Sequence, residues 1–223
     1  MFQNLLENSS WIQCLTPQQL QELKSHTSQV SFDNNDILVK QNSHTSSILL
    51  LVEGIAKMHL ETRKGKHIIV KLCKAGCFLG IDNLINSNTF SCSFSGITPT
   101  TVIYIDYPFF QRLLSENPTF AKEIMHTISD ENRFLISRLA ALSYKQLPGK
   151  LADILLYFSQ VIYNSNTFCL PLSRQELAEF AGTTKESLIR TLTEFKNDKL
   201  ITVQGKNITI NSQPIIETLS KLG

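Results

Sequence analysis

The 223-residue sequence predicts an α+β chain in three parts: a β-rich N-terminal domain over 1–118, one long helix over 119–145, and a C-terminal domain of helices and a hairpin over 146–223. Three observations predict it. Short β-branched runs separated by Asn, Ser and Gly clusters fill the span from about Val30 to Asp106. Apolar residues then recur at intervals of seven, as Ile128, Leu135 and Leu142, which suits a helix packed along its length. Finally "SRQELAEFAGTTKESLIRTL", Ser173 to Leu192, reads as two short amphipathic helices parted by a glycine.

Composition leaves that outline plausible and narrows the classes. At 42% hydrophobic and 18% charged residues the chain has an ordinary soluble balance, with room for one large or two modest cores. It has no apolar run long enough to span a bilayer, and "MFQNLLENSSW" lacks the basic, apolar and small-residue regions of a secretion signal, so a cytoplasmic protein without membrane partners is expected. Cys14, Cys73, Cys77, Cys92 and Cys169 include no C-x-x-C pair, which argues against a disulfide framework and a zinc finger. A net charge of +2 is too mild to indicate nucleic acid by itself.

In chain order, "LTPQQLQELKSH" predicts a short first helix, with Thr16 as cap, Pro17 in the first turn, and Leu15, Leu20 and Leu23 on one face. The β runs follow as "DILVK", "SILLLVEG", "IAKMHLE", "HIIVKLC" and "TVIYID". Gly54, Gly65, Gly76 and Gly80 punctuate them, and "NND" at Asn34 to Asp36 offers a turn. This spacing is that of an antiparallel sandwich or roll. In the long helix Ile124, Ile128, Leu135 and Leu142 mark a candidate seam, with Phe134 and Leu139 close by and Glu131 and Arg138 beside it. The seam serves either a partner helix or the chain's own β-domain, and dimerisation is the preferred reading. "KQLPGK" breaks the helix at Leu147 to Gly149, a Pro-Gly boundary expected to form a hinge. "KLADILLYFSQVIY" then gives a core helix through Leu151, Ile154, Leu155, Phe158, Val161 and Ile162.

Within the opening stretch, Ser173 with Glu176 and Thr183 with Glu186 read as two capping boxes, and Gly182 lies between them. Helix, glycine turn and second helix are the outline of a helix-turn-helix. In the second helix Leu188, Leu192 and Phe195 share the inward face, leaving Lys185, Glu186, Ile189 and Arg190 outward. Arg190 can pair bidentately with guanine O6 and N7, and Glu186 can accept from the cytosine amino group. One turn apart, the two are expected to pair with each other and hold the guanidinium in place. Thr183, Thr184 and Ser187 are candidates for phosphate or base contact. A solvated helical hairpin could show the same pattern, but "KLITVQGKNITIN" follows it, alternating like a β-hairpin with Lys206 and Asn207 at its tip. Such a wing places Lys206 against the sugar-phosphate backbone of double-stranded DNA.

On these residues the chain resembles, over essentially its full length, the Crp/Fnr superfamily of transcription regulators. Leu172 to Ala178, Gly182, and Glu186 to Arg190 meet that family's pattern of L-[ST]-R-x-[ED]-[LI]-A, glycine turn and E-[ST]-x-x-R. The resemblance implies a cyclic-nucleotide-binding-like jelly roll as sensor, a long dimerisation helix, and a winged helix-turn-helix. It implies that Glu186 and Arg190 read the G-C pair of a TGA-like half-site. Ser173, Arg174, Thr184 and Lys185 would supply neighbouring contacts, and Ile189 would tune the preference. It also implies a homodimer on an inverted repeat in a promoter, with RNA polymerase as a possible further partner.

The effector is not named by the resemblance. Cyclic-nucleotide-binding members carry a Glu for the ribose after the glycine of "FxG", and an Arg followed by Ser or Thr for the cyclic phosphate. Here Gly80 is followed by Ile81 and Asp82, and Ser91 and Cys92 stand near the place of the Arg. These five residues are the candidate effector pocket, and the phosphate has no evident partner there unless Lys71 or Arg63 reaches it from a neighbouring strand. A cyclic nucleotide is therefore disfavoured. Haem, an iron-sulfur cluster and thiol sensing are disfavoured too. Cysteine is a common buried residue, Cys73-x-x-x-Cys77 is no cluster spacing, and His59 and His67 only lie nearby, while cluster-binding members gather ligands near an N-terminus that here has only Cys14. No metal site is expected, and the cofactor stays unknown. The sequence contains no nucleophile elbow, Walker loop, H-E-x-x-H or dinucleotide fingerprint, so an enzyme is not expected. The alternative is a signalling module that binds a ligand or partner without touching DNA.

Overall fold

The structure is a computed structural model that describes residues 9–44, 46–62, 67–84 and 89–223. Arg63 and Gly65 lie outside the described residues. The chain divides into two compact units, Met1–Leu135 and Ile136–Gly223, and the division falls inside the long helix.

The first described elements of this unit are a short helix α1 (Ser10–Gln13) and α2 (Pro17–Ser25). Thr16 caps α2 through a full capping box with Gln19, and Pro17 sits in the first turn. Among the described residues eight strands follow: β1 (Thr27–Phe32), β2 (Ile37–Val39), β3 (Ser47–Glu53), β4 (Ile55–Glu61), β5 (His67–Lys74), β6 (Phe78–Leu79), β7 (Ser93–Gly96) and β8 (Thr100–Asp106). They form two antiparallel sheets, ordered β1-β8-β3-β6 and β2-β7-β4-β5. This is the expected β-roll.

The run "SILLLVE" shows how the sequence positions the roll. Leu49 and Leu51 of β3 face the other sheet, beside Met58, Cys73, Phe94 and Val102. Ile48, Leu50 and Val52 point the other way, into a second core with Trp11, Leu23, Phe110 and Phe120 from the helices. A strand buried on both faces reads as a continuous apolar run, because alternation marks only strands with one wet side. α3 (Tyr107–Glu116) and the start of α4 (Pro118–Tyr144) close that second core.

The second unit begins in the last turns of α4. The helix break expected at Leu147 to Gly149 lies two residues earlier, at Lys145 and Gln146, and α5 (Leu147–Leu156) starts at once with Pro148 in its first turn. Pro-Gly is therefore no hinge. Proline needs no donor in a first turn, and Gly149 is buried where an added Cβ would stand 2.7 Å from the Cα of Gly223. α5 runs on into a π-helical segment, Tyr157–Tyr163, ended by Asn164 in the left-handed region. A strand β9 (Thr167–Cys169), unseen in the sequence, leads to α6 (Arg174–Ala181) and α7 (Lys185–Asn197). β10 (Ile201–Gln204) and β11 (Asn207–Ile210) form the hairpin, which β9 extends into a sheet ordered β10-β11-β9. A last helix α8 (Gln213–Leu222) packs on α5.

Candidate nucleic-acid interface

α6 and α7 are set by their caps. The Ser173 hydroxyl accepts from the Glu176 amide at 3.2 Å, and the Glu176 carboxylate accepts from the Ser173 amide at 2.8 Å. α6 ends at Gly182, whose φ of 62° suits glycine, and the Thr183 amide donates to the Ala178 carbonyl at 3.0 Å. The second start differs from the expected box: Thr184, not Thr183, is the cap, its hydroxyl accepting from the Ser187 amide at 3.3 Å. Glu186 therefore does not close a box. Thr183 is drawn back by the turn, which moves the helix start one residue on.

The faces of α7 separate as the apolar pattern predicts. Leu188, Thr191, Leu192 and Phe195 are buried, while Lys185, Glu186, Ile189 and Arg190 are exposed and Ser187 is half-buried. The expected Glu186 to Arg190 pair is absent: Arg190 instead faces Glu194, its Nε 3.9 Å from Oε1. Both orders satisfy i, i+4 geometry, and at this exposure and distance the pair is weak, so the guanidinium is open to a stronger acceptor. Glu186 lies in the first turn, where the helix dipole favours a carboxylate.

Two of the residues expected at DNA have partners inside the protein. Arg174 donates from Nη2 to the carbonyl of Gly205, at 3.0 Å, and so fastens the wing tip to α6. The Ser173 hydroxyl also donates to Glu176 at 2.8 Å. Lys206 is exposed at the tip, and its carbonyl accepts from the Leu170 amide at 2.8 Å. The sequence reading missed the brace behind the turn. Arg138, buried, lies with its guanidinium 4.3 Å from the Phe180 ring centre and donates to the Phe180 carbonyl. Burial holds its pKa down at about 10, against the pull of Asp153. A lone arginine within an apolar stripe was the available signal.

The candidate seam is placed one row away from the free face of α4. Ile124 is only 2% exposed, inside the unit's own core, and Ile128 packs against the same cluster. Leu135 and Leu142 are half-buried. The exposed large apolar side chains are Met125, Ile136, Leu139 and Tyr144. The sevenfold recurrence of Ile128, Leu135 and Leu142 marks the row that the core turns inward, whereas the exposed residues are spaced 11, 3 and 5 apart.

The candidate effector residues do not fit a cyclic phosphate. Ile81 is buried among core side chains, next to Gly80 in the turn after β6. Asp82 accepts from the Ser91 hydroxyl at 2.7 Å, so a carboxylate stands where an anion would need a cation. Cys92 is buried against Met58 and Phe94, and burial raises its pKa. Lys71 is engaged by Glu131 of α4 at 3.1 Å, with Nζ 5.7 Å from the Phe134 ring centre. Among the described residues no group of three or more His, Cys, Asp and Glu side chains is placed to hold a metal ion, and no helix is long and apolar enough to cross a membrane.

Comparison with known proteins agrees with this geometry. Residues 29–117 match the model of the cyclic nucleotide-binding domain, and residues 149–214 that of the Crp-like helix-turn-helix domain. The chain is 24% identical over 219 residues to the nitrogen fixation regulation protein FixK of Bradyrhizobium diazoefficiens, covering 96% of this chain and 91% of that protein. It is 28% identical over 182 residues to the regulatory protein HlyX of Actinobacillus pleuropneumoniae, covering 79% and 75%. The solved structure of FixK2 from Bradyrhizobium japonicum superposes with a TM-score of 0.79 at 15% identity, over 86% of this chain and 96% of that one. The c-di-GMP responsive global regulator CLP of Xanthomonas campestris gives 0.75 at 17% identity, over 88% and 100%. At such identities the structural likeness shows the fold alone. The two domain models in this order, joined by the long helix and carried by relatives along nearly the whole chain, lead to one conclusion: the chain belongs to the Crp/Fnr superfamily of transcription regulators.

Proposed function

We propose that the protein is a sequence-specific DNA-binding transcription regulator that acts as a homodimer on an inverted repeat in promoters. The observation that carries the reading is the face of α7, where Lys185, Glu186, Ile189 and Arg190 stand out to solvent above an underside of Leu188, Leu192 and Phe195. Arg190 reads a guanine, Glu186 accepts from the paired cytosine, Lys185 and Thr184 contact the flanking positions, and Ile189 adjusts the preference. Lys206 at the wing tip meets the phosphates. Arg174 and Ser173 act mainly as positioning residues, since both have protein partners.

In this reading residues 1–118 sense, 119–145 dimerise and 146–223 bind DNA, in the cytoplasm, with RNA polymerase as the protein partner at the promoter. Two modules related by a two-fold axis place their recognition helices about one DNA turn apart, roughly 34 Å. A signal at the roll would shift the population of DNA-competent dimers. The residues around Gly80 to Asp82 and Ser91 to Cys92 argue for an effector other than a cyclic nucleotide.

The test is a selection of bound sequences from random DNA with the purified full chain, repeated with small-molecule extract of cells. An inverted repeat with a TGA-like half-site is the expected product. Arg190→Ala should weaken its binding by about 5- to 150-fold and relax selection at one base pair per half-site, the range of about 1–3 kcal/mol for a bidentate contact. Failure to recover any palindrome under either condition would overturn the proposal in favour of a module that does not bind DNA.

A further inference from the structure

Cys73 is the last residue but one of β5, inside the roll, and Cys77 follows a tight turn in which its amide donates to the Lys74 carbonyl at 3.0 Å. The turn, held also by the Gly76 amide donating to the Leu51 carbonyl at 2.8 Å, folds the chain back so that the Cys77 side chain packs against the same buried cluster that holds Cys73. They differ in access: Cys73 is 1% exposed, whereas Cys77 is half-buried at the roll's surface. Lys71 stands two residues before Cys73 on β5, on the same face of the strand, and is held there by Glu131 at 3.1 Å with Nζ 5.7 Å from the Phe134 ring centre. The cation does not arrive by chance of a flexible side chain, because both its ion pair and its ring contact are set by α4.

These features are those of a reactive thiol with a resolving partner: one sulfur reachable, one sheltered, and a fixed positive charge alongside. We propose that Cys73 and Cys77 form a reversible dithiol–disulfide pair oxidised by hydrogen peroxide or another small hydroperoxide, with Lys71 as the positioning cation. Cys77, as thiolate, attacks a peroxide oxygen; the O–O bond breaks, sulfur becomes sulfenic acid, and hydroxide leaves to take up the proton the thiol had released. The Cys73 thiol then attacks Cys77 sulfur, the S–S bond forms, and the sulfenic oxygen departs as water with the Cys73 proton. Two thiols and one peroxide thus give one disulfide and two waters.

The chemistry of the surroundings is consistent with this order. The Cys73 thiol donates to Cys77 and, against the opposing effect of burial, Lys71 adds its charge, so the Cys77 pKa is lowered. The same bond and its burial raise Cys73 well above the ordinary thiol value. For a peroxide-reactive thiol, each unit of lowering multiplies the thiolate tenfold until the thiol is mostly ionised, while nucleophilicity falls with a Brønsted slope of about 0.4–0.5, leaving a gain of about threefold per unit. A disulfide across only three intervening residues closes a short loop and contributes little to stability, which suits a bond made and broken in use.

The inference does not depend on DNA binding, and its test is chemical. The reduced full chain is treated with stoichiometric hydrogen peroxide, digested after lysine and arginine, and mapped by mass. The expected product is the peptide Leu72–Lys74 linked through Cys73 to the peptide Ala75–Arg112, with fragmentation placing the link at Cys77 rather than at Cys92, and released by dithiothreitol. Cys73→Ser should stop at a sulfenic acid on Cys77 that dimedone traps, and Lys71→Gln should slow the reaction, by about threefold for each unit by which its charge had lowered the thiol. Because the intact chain alone yields the linked peptide, the test stands even if a variant folds poorly. Oxidation that falls on Cys14 or Cys169 as fast as on Cys77, or that leaves Cys77 overoxidised with no link to Cys73, overturns the proposal.

Discussion

The guanidinium of Arg138 lies 4.3 Å from the centre of the Phe180 ring and also donates to the carbonyl of that same residue. Arg138 stands near the end of α4, and Phe180 stands two residues before the glycine that separates the two helices of the recognition module. The long helix thus reaches the turn through one buried side chain. Arg138→Ala removes a desolvated cation–π contact and leaves a buried carbonyl without its donor, an expected loss of about 2–4 kcal/mol from the two effects together. Thermal unfolding should show the second unit melting several degrees lower, and Arg138→Lys should restore less than half of the loss, since an ammonium lacks the planar fork.

Gly182 has a φ of 62°, and a Cβ added there would stand 3.0 Å from Cδ2 of Leu142. Gly182→Ala therefore meets both left-handed backbone strain and a neighbour that must yield. A destabilisation of about 1–2 kcal/mol is expected from the backbone alone. Gly182→Asn should cost less, because asparagine tolerates this region, and chemical denaturation of the two variants measures the difference.

The cap of α7 gives a sharper comparison. Thr184→Ala removes the hydroxyl that accepts from the Ser187 amide and should cost about 1 kcal/mol. Thr183→Ala should lie within about 0.5 kcal/mol of the parent, as for a surface change away from a cap. Equal effects in denaturant titrations would show that the helix starts one residue earlier.

A dimer seam on the exposed row of α4 predicts which substitutions separate the subunits. Ile136 and Leu139 are 61% and 66% exposed, so Ile136→Asp and Leu139→Glu should leave the fold intact while shifting sedimentation toward the monomer. Ile124→Asp should instead unfold the first unit, because a carboxylate there is buried among apolar side chains.

Lys206 at the wing tip separates phosphate contact from base reading. Lys206→Ala should weaken binding to all sequences nearly alike and lower the salt slope of log K by about one for each module. Titration of a specific and a scrambled duplex at several salt concentrations tests it. A loss confined to the specific duplex would place Lys206 at a base instead.

Elements with their own periodicity were legible from residues alone. The roll, the long helix, the two short helices and the hairpin are all found, and so are the inward faces of Leu188, Leu192 and Phe195. Features set by competition between equivalent neighbours were not. Thr183 and Thr184 can both cap, Glu186 and Glu194 can both pair with Arg190, and α4 carries apolar residues on more than one row; backbone turn and core choose in each case. Pro148 and Gly149 read as a break because the sequence does not reveal that one begins a helix and the other lets Gly223 approach. β9 carries only three residues, too few for a pattern, and joins the sheet through β11.

The hydrogen bond from Arg174 to the carbonyl of Gly205 has a bearing on how fast a duplex is sampled. A wing tip left loose would have to be immobilised at every encounter, with an entropic penalty of about 0.5–1.5 kcal/mol for each mobile side chain arrested. With the tip already tethered to α6, that penalty is met during folding, and in the proposed complex wrong sites would be tested and released against an unchanging template. If the wing meets the duplex as proposed, an arginine that reaches inward quickens the search for a promoter from within the protein.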